Sequence, residues 1–326
     1  MNRTATLMVA AAVLALGALP TASAQPANWP ERPVRIVVPF VAGAMGDMVA
    51  RLVAEGVRAE LGQPLVVDNR PGATGNIGAR HVEQAPPDGY TLLMAASNNL
   101  VINQFLFKNL GFDPLKRFEP VTILVNVPSV VYSAGRVPAR SLQEFTAWAR
   151  TQPGKVNYGS PGSGSTPHLS AEAINRALNL GMQHVPYKGA SQAVAALLAG
   201  EVQFYLGGAG VGAAHVKEGK LRALAVSNPT RLEVMPEVPT FAEVGLSAVN
   251  ASNWWAVAAP AGTPKAITAR LQTAFCKALG EPDAKARLVQ FGNIAICNTP
   301  AEMARQLAEE AAYWQKTLPG MGVSMD

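Results

Sequence analysis

The chain has little with which to do covalent or metal chemistry. Among its 326 residues there are two cysteines and four histidines. His81, His168, His184 and His215 show no metal-ligand spacing, and neither cysteine belongs to a Cys-x-x-Cys pair, which excludes the common zinc arrangements. No Gly-x-Ser-x-Gly marks a strained nucleophilic serine. The phosphate-loop pattern is also missing, because no Lys precedes Ser165 in the one loop that resembles it. Charged residues make up only 15% of the chain and are scattered rather than striped with aromatics, which argues against nucleic acid. Beyond the N-terminus no apolar run approaches the ~18 residues needed to span a bilayer.

That N-terminus carries Arg3, an apolar stretch from Leu7 to Leu19, and Thr21-Ala-Ser-Ala24. The pattern is that of a secretory signal over residues 1–24, cut after Ala24 and directing the chain to the periplasm. No cysteine follows to carry a lipid. Removing the leader, whose only charge is Arg3, lowers the net charge from +5 to +4. In an oxidising compartment the even pair Cys276 and Cys297 points to one disulfide, with two buried thiols as the alternative.

What the sequence does have is glycine and serine placed after short apolar strands. The run Lys155 to His168 reads as a strand, then a loop of Gly159, Ser160, Gly162, Ser163, Gly164 and Ser165, then a helix with Thr166 as N-cap and Pro167 in its first turn. Free helix-terminal N–H groups beside hydroxyls would receive an anion without a cationic side chain. An ordinary strand-to-helix turn is the structural alternative. The strand, glycine loop and helix unit recurs at Val34–Val38 with Pro39 to Asp47, at Leu65–Asp68 with Arg70 to Gly78, and at Thr91–Ala95 with Ser97 to Asn99. Strands alternating with helices imply a mainly parallel sheet whose ligands lie beyond the strands' carboxyl ends.

Length is consistent with two domains. The expected division is residues 25–128 plus 250–326 for the first and 129–249 for the second. Pro128 and the stretch Asn250 to Ala259 would cross between them, and Pro264–Ala278 and Glu302–Thr317 would be helices completing the first. Two α/β domains joined by two crossovers make a cleft that closes on a small ligand.

Taken together, Trp29-Pro-Glu-Arg-Pro33, Val38-Pro-Phe-Val-Ala-Gly43 with Asp47, Val67-Asp-Asn-Arg-Pro-Gly72, Pro87-Asp-Gly-Tyr-Thr91, Thr166-Pro-His-Leu169, His184-Val-Pro-Tyr-Lys-Gly189 and Pro260-Ala-Gly-Thr-Pro264 span almost the whole mature chain. In this order they resemble the Bug family, the periplasmic solute-binding proteins of tripartite tricarboxylate transporters. The resemblance implies a type II Venus-flytrap fold, α/β with mainly parallel sheets, and a monomer without a cofactor. It implies a small carboxylate as ligand, bound through main-chain N–H groups, hydroxyls and water, and membrane components of the transporter as partners. Carried over by position, the implied contacts are Phe40, Ala42, Ala44, Met45, Gly46, Asp47, Asn76, Ser97 and Asn98 from the first domain. Ser160, Ser163, Ser165, Thr166, Gly207 and Gly208 come from the second, and Trp254 from the crossover. His168, in the first turn of the loop's helix, is added for its nearness to the cleft.

Two departures from the family pattern concern specificity. Gly43-Ala44 stands where the family has Gly-Gly, followed by Met45, and Gly207-Gly208 stands where an Asp-Asn pair is common. More apolar bulk and one fewer acid favour a carboxylate with an apolar or aromatic body over an amino acid. Asp47 also has a plainer role, complementing the helix dipole. Gly208-Ala-Gly-Val-Gly-Ala213 fits a dinucleotide fingerprint, and an oxidoreductase is the first alternative function. The acid expected about 20 residues on is absent, since the next strand ends in Ser227-Asn-Pro229. A secreted sensory or adhesive protein is the second alternative.

Overall fold

The computed structural model describes residues 28–325. The expected leader over residues 1–24 lies outside them. Runs of β-branched residues buried on both faces, as in β1 (Val34–Val38), are the composition of a covered parallel strand. The amphipathic helix α1 (Met45–Leu61) buries Val49, Val53 and Val57 on one face, and Gly62 ends it in the left-handed region, φ 73°.

Continuing along the chain are β2 (Leu65–Asn69), α2 (Asn76–Glu83), β3 (Thr91–Ala96), α3 (Asn103–Leu106), α4 (Pro114–Arg117) and β4 (Phe118–Asn126). After the first crossover come β5 (Ser129–Ala134), α5 (Leu142–Arg150), β6 (Asn157–Ser160), α6 (Thr166–Ala177), β7 (Gln183–Pro186), α7 (Ala190–Ala199), β8 (Phe204–Gly208), α8 (Ala209–Lys217) and β9 (Leu221–Val226). The second crossover leads to β10 (Trp254–Pro260), α9 (Lys265–Gly280), α10 (Pro282–Gln290), β11 (Ile294–Ala295) and α11 (Pro300–Met321).

The strands form two sheets, ordered β11-β4-β10-β3-β1-β2 and β7-β6-β8-β5-β9. The sheets share one plan. In each, the strand that follows a crossover is inserted antiparallel between two others: β10 between β3 and β4, and β5 between β8 and β9. The pairings near the binding loops, β1 with β2 and β3, and β6 with β7 and β8, are parallel. But β11 also runs antiparallel to β4, so the sheets are mixed rather than mainly parallel as expected, because each crossover returns the chain in the reverse direction. The two sheets therefore carry two domains of α/β type. One apolar cluster fills the second domain, and two clusters lie on either side of the first sheet.

The crossovers touch. The Val127 N–H donates to Asn253 O at 2.7 Å, and Ser129 Oγ donates to Ala251 O at 3.2 Å. Behind them the C-terminal helix α11 begins with a Thr299/Glu302 capping box and presents Glu310 to the second crossover. Cys276 of α9 and Cys297, just past β11, form a disulfide with Cα atoms 5.4 Å apart.

Candidate ligand-binding site

The first loop is braced from within. The Asp47 carboxylate, 3% exposed, accepts the Gly43 N–H (2.9 Å), Arg51 Nε (3.0 Å) and Asn69 Nδ2 (3.0 Å). Burial raises its pKa, but hydrogen bonds from Arg51, Gly43 and Asn69 outweigh that and hold it below the ordinary carboxylate value. Asp47 is thus occupied in shaping the loop, and Arg51, the adjacent cation, is tied to it. Ala44 sits at the N-cap of α1 in extended conformation and supplies no capping side chain, so the N–H groups of the first turn meet no such acceptor.

Two aromatic rings fix where that helix begins. Phe40 meets Trp255 edge-on, 5.2 Å between centroids, and Trp255 covers Gly46 so closely that a Cβ there would fall 2.3 Å from the ring. Successive strand residues point to opposite faces, so Trp254 turns the other way. It is 1% exposed, and its indole N–H is spent on Glu310 at 3.0 Å. Trp254, expected to contact the ligand, therefore belongs to the core behind the sheet, and Trp255, itself buried, is the tryptophan that packs beside the first loop. Ala42 is exposed, Ala44 and Met45 are half-buried, and the Met45 sulfur accepts the Asn293 amide at 3.2 Å.

Beyond β3 the chain makes a π-helical turn, Asn98–Ile102, a wide turn often found at functional positions. It belongs to a network of asparagines. Asn99 and Asn103 both donate to Thr74 O at 3.2 Å, and Asn103 donates to Asn76 Oδ1 at 2.5 Å. Asn76 is thereby engaged with its neighbour. Asn99 is visible in the sequence only as part of the loop Ser97 to Asn99, and Asn103 not at all, because an isolated Asn carries no periodic signal.

In the second domain, the N-cap of α6 is Ser165 rather than Thr166. Ser165 is the last extended residue, φ −68° and ψ 152°, and its hydroxyl accepts the His168 N–H at 3.4 Å. Ser160 Oγ contacts His184 Nε2 at 2.7 Å, and Ser163 is exposed. His168 lies in the wall behind the loop: its Nδ1 accepts the Gly164 N–H at 3.0 Å and its ring stacks on His184 at 3.7 Å. Burial, then the charge His184 would carry, push the His168 pKa down to about 4, while nearby Glu172 opposes the shift. Gly207 and Gly208 end β8 under packing constraint, since a Cβ would lie 2.4 Å from the Tyr205 ring and 3.0 Å from Val127, respectively.

The two loop systems meet. Thr166 Oγ1 donates to Asn98 Oδ1 at 2.7 Å and lies 3.0 Å from Ser97 Oγ, and Asn98 Nδ2 donates to Gly164 O at 2.8 Å. Ser97, Asn98 and Thr166 are all buried. A second contact joins Gly210 of α8 to the Phe291 carbonyl, where a Cβ on Gly210 would sit at 2.5 Å. Gly212 is likewise filled by the Tyr132 ring, so the glycines of the apparent dinucleotide fingerprint accommodate protein atoms. A cavity of about 760 Å³ runs between α1 and α10 and reaches the first loop at Met45. Among the described residues, no cluster of three His, Cys, Asp or Glu could hold a metal ion, and no helix is long and apolar enough to cross a membrane.

Comparison with known proteins agrees with this architecture. The model of the tripartite tricarboxylate transporter family receptor matches residues 49–322. Protein BugT of Bordetella pertussis is 32% identical over 299 residues, covering 91% of this chain and 92% of BugT. The structure of R. palustris Rpa4515 with adipate is 32% identical with a TM-score of 0.81, covering 91% of this chain and 99% of that one. MatC from Rhodopseudomonas palustris with bound malate is 32% identical with a TM-score of 0.78, covering 89% and 100%. The chain belongs to the tripartite tricarboxylate transporter receptor family, the family of the Bug proteins.

Proposed function

We propose that this protein is a periplasmic receptor that closes two domains around a small organic carboxylate and presents it to the membrane components of a tripartite transporter. The observation that carries this reading is the buried hydrogen bonding of Asn98 to Gly164 and Thr166, which brings the serine loop of one domain against the turn after β3 of the other. A carboxylate held there would meet helix-terminal N–H groups from α1 and the exposed hydroxyl of Ser163. The expected hydroxyls of Ser97, Ser165 and Thr166 already donate to Thr166, Gly162 and Asn98. Phe40, Ala42, Ala44, Met45 and Gly46 would form the first-domain wall. Adipate and malate, the molecules found with Rpa4515 and MatC, are both dicarboxylates and support the ligand class.

Micromolar affinity needs about 8 kcal/mol, within reach of a few charge-assisted hydrogen bonds and one apolar contact. Binding without turnover is the function proposed, in a monomer that needs no cofactor. Met45 and Ala44 favour a ligand with an apolar or aromatic body. The test is native mass spectrometry of protein purified from periplasm, followed by a melting-temperature screen of malate, adipate, citrate, benzoate and aspartate. Stabilisation by at least one acid, recovered unchanged after incubation, is expected. Consumption of the acid would make the protein an enzyme, and equal calorimetric affinity for aspartate and benzoate would overturn the assigned preference.

A further inference from the structure

Gly164 is a meeting point of three elements. Its N–H donates to His168 Nδ1 within the second domain, and its carbonyl accepts the Asn98 amide from the first. Its third neighbour is Met325: a Cβ built on Gly164 would lie 2.8 Å from the Met325 sulfur and 3.0 Å from its Cγ. Gly164 has φ +72°, a left-handed conformation that leaves its Cα face open to that thioether.

Met325 lies on the short segment that follows α11, a first-domain helix. Its N–H donates to Leu106 O at 3.1 Å, anchoring the segment to α3. A second link lies nearby, where Arg176 of α6 donates to the Gly320 carbonyl at the end of α11. Between these links, Leu169 and Ala173 of α6 enter the apolar cluster containing Leu106, Leu318 and Met321, with Val323 and Met325 packed against it. The segment therefore reaches from the first domain onto the entry loop of α6.

We propose that Met325 is a positioning residue for the serine loop 160–165. Its unbranched, polarisable side chain seats on Gly164 and holds the loop where Asn98 can reach the Gly164 carbonyl. The contact joins the two domains, so it adds to the closed arrangement and is lost on opening, and it biases the equilibrium by that difference alone. The inference rests on the proposed closure around a ligand.

The experiment separates the two ideas by first using no ligand. Spin labels on introduced cysteines at Glu55 and Lys220, exposed and on different domains, report the interdomain distance by pulsed electron resonance. Met325→Ala is expected to lengthen and broaden that distance, and Met325→Leu, which keeps an apolar side chain of similar reach, to restore it. Identical distributions in the full chain and both variants would overturn the proposal whatever the protein binds. With adipate or malate as probe, whichever stabilises the full chain, Met325→Ala should raise the dissociation rate roughly fivefold and leave association unchanged. An unchanged dissociation rate, or failure of Met325→Leu to rescue it, would also overturn the proposal.

Discussion

The Asn98 side chain clasps the second domain with both ends of its amide, donating to Gly164 O at 2.8 Å and accepting from Thr166 Oγ1 at 2.7 Å. All three groups are buried, so removing the amide would leave the Gly164 carbonyl without its donor and Thr166 Oγ1 with only Ser97. Asn98→Ala should therefore destabilise the closed form more than the folded domains. Isothermal titration with a bound dicarboxylate should show affinity about tenfold weaker, from roughly 1.4 kcal/mol of lost closure. A melting temperature close to that of the parent would separate this loss from unfolding.

Gly46 answers to a different constraint. Its backbone is helical, so a side chain causes no conformational strain, but a Cβ would fall 2.3 Å from the Trp255 ring. Gly46→Ala forces either the indole or the start of α1 to move. Overpacking of this kind costs about 1–3 kcal/mol, measurable by urea denaturation. Trp255→Leu placed on the same background should recover part of the loss, because it removes the obstructing ring.

The His168–His184 stack gives a signed dependence on pH. His168 is held down to about 4, first by burial and then by His184, while Glu172 on its own helix acts in the opposite sense. His184 is also lowered by burial, and Tyr158 from β6 stacks on its ring. The unfolded chain takes up a proton near the ordinary histidine value of about 6.5, and the folded chain does so only near 4. The neutral His168 therefore stabilises the fold fully above about 6.5, and this contribution falls by up to about 1.4 kcal/mol per pH unit from there toward 4. Below 4 it is gone. Denaturation curves at pH 7 and pH 5 should differ less in His168→Gln, whose amide oxygen can still accept the Gly164 N–H.

The strand–loop–helix units were legible because their signals are local: Val34–Val38 is apolar apart from the exposed Arg35, and Val49, Val53 and Val57 recur on one helical face before Gly62. The pairing of Ser97 with Thr166 was not, since 69 residues separate them and each hydroxyl reads equally well as a ligand contact. Asp47 shows the same limit. Its position in the first turn of a helix was visible, but its three internal donors, from Gly43, Arg51 and Asn69, depend on how the loop folds back. Strand alternation established that Trp254 and Trp255 face opposite ways. Only Glu310, 56 residues further on and brought alongside by α11, decides that Trp254 is the inward one.

The disulfide closes a short path, 21 residues along the chain from Cys276 in α9 to Cys297. On the chain-entropy account, a loop of this length removes about 3 kcal/mol of freedom from the unfolded state. The double variant Cys276→Ser, Cys297→Ser should unfold at lower urea by that amount while its affinity for a carboxylate stays within twofold. The bridge lies behind the first sheet, where Cys297 packs on the cluster of α9 and Thr122 approaches Cys276, rather than between the domains. A large loss of affinity at temperatures where the variant is folded would contradict that placement.

Met45 offers the sharpest test of ligand preference. It occupies the first helical position of α1, half-buried, and its sulfur takes the amide of Asn293, a residue only 4% exposed. That hydrogen bond restrains an otherwise flexible side chain, so the wall beside the proposed carboxylate site presents a fixed apolar surface. Met45→Ser would shorten the wall and place a hydroxyl near the α1 N–H groups, where malate could use it and an apolar chain could not. Relative affinity for adipate over malate should therefore fall about tenfold in the variant, a difference of roughly 1.4 kcal/mol and comparable to one or two methylenes withdrawn from apolar contact. Calorimetry with both acids on parent and variant measures the ratio directly. An unchanged ratio would remove Met45 from the specificity wall and leave Ala44 as its remaining candidate.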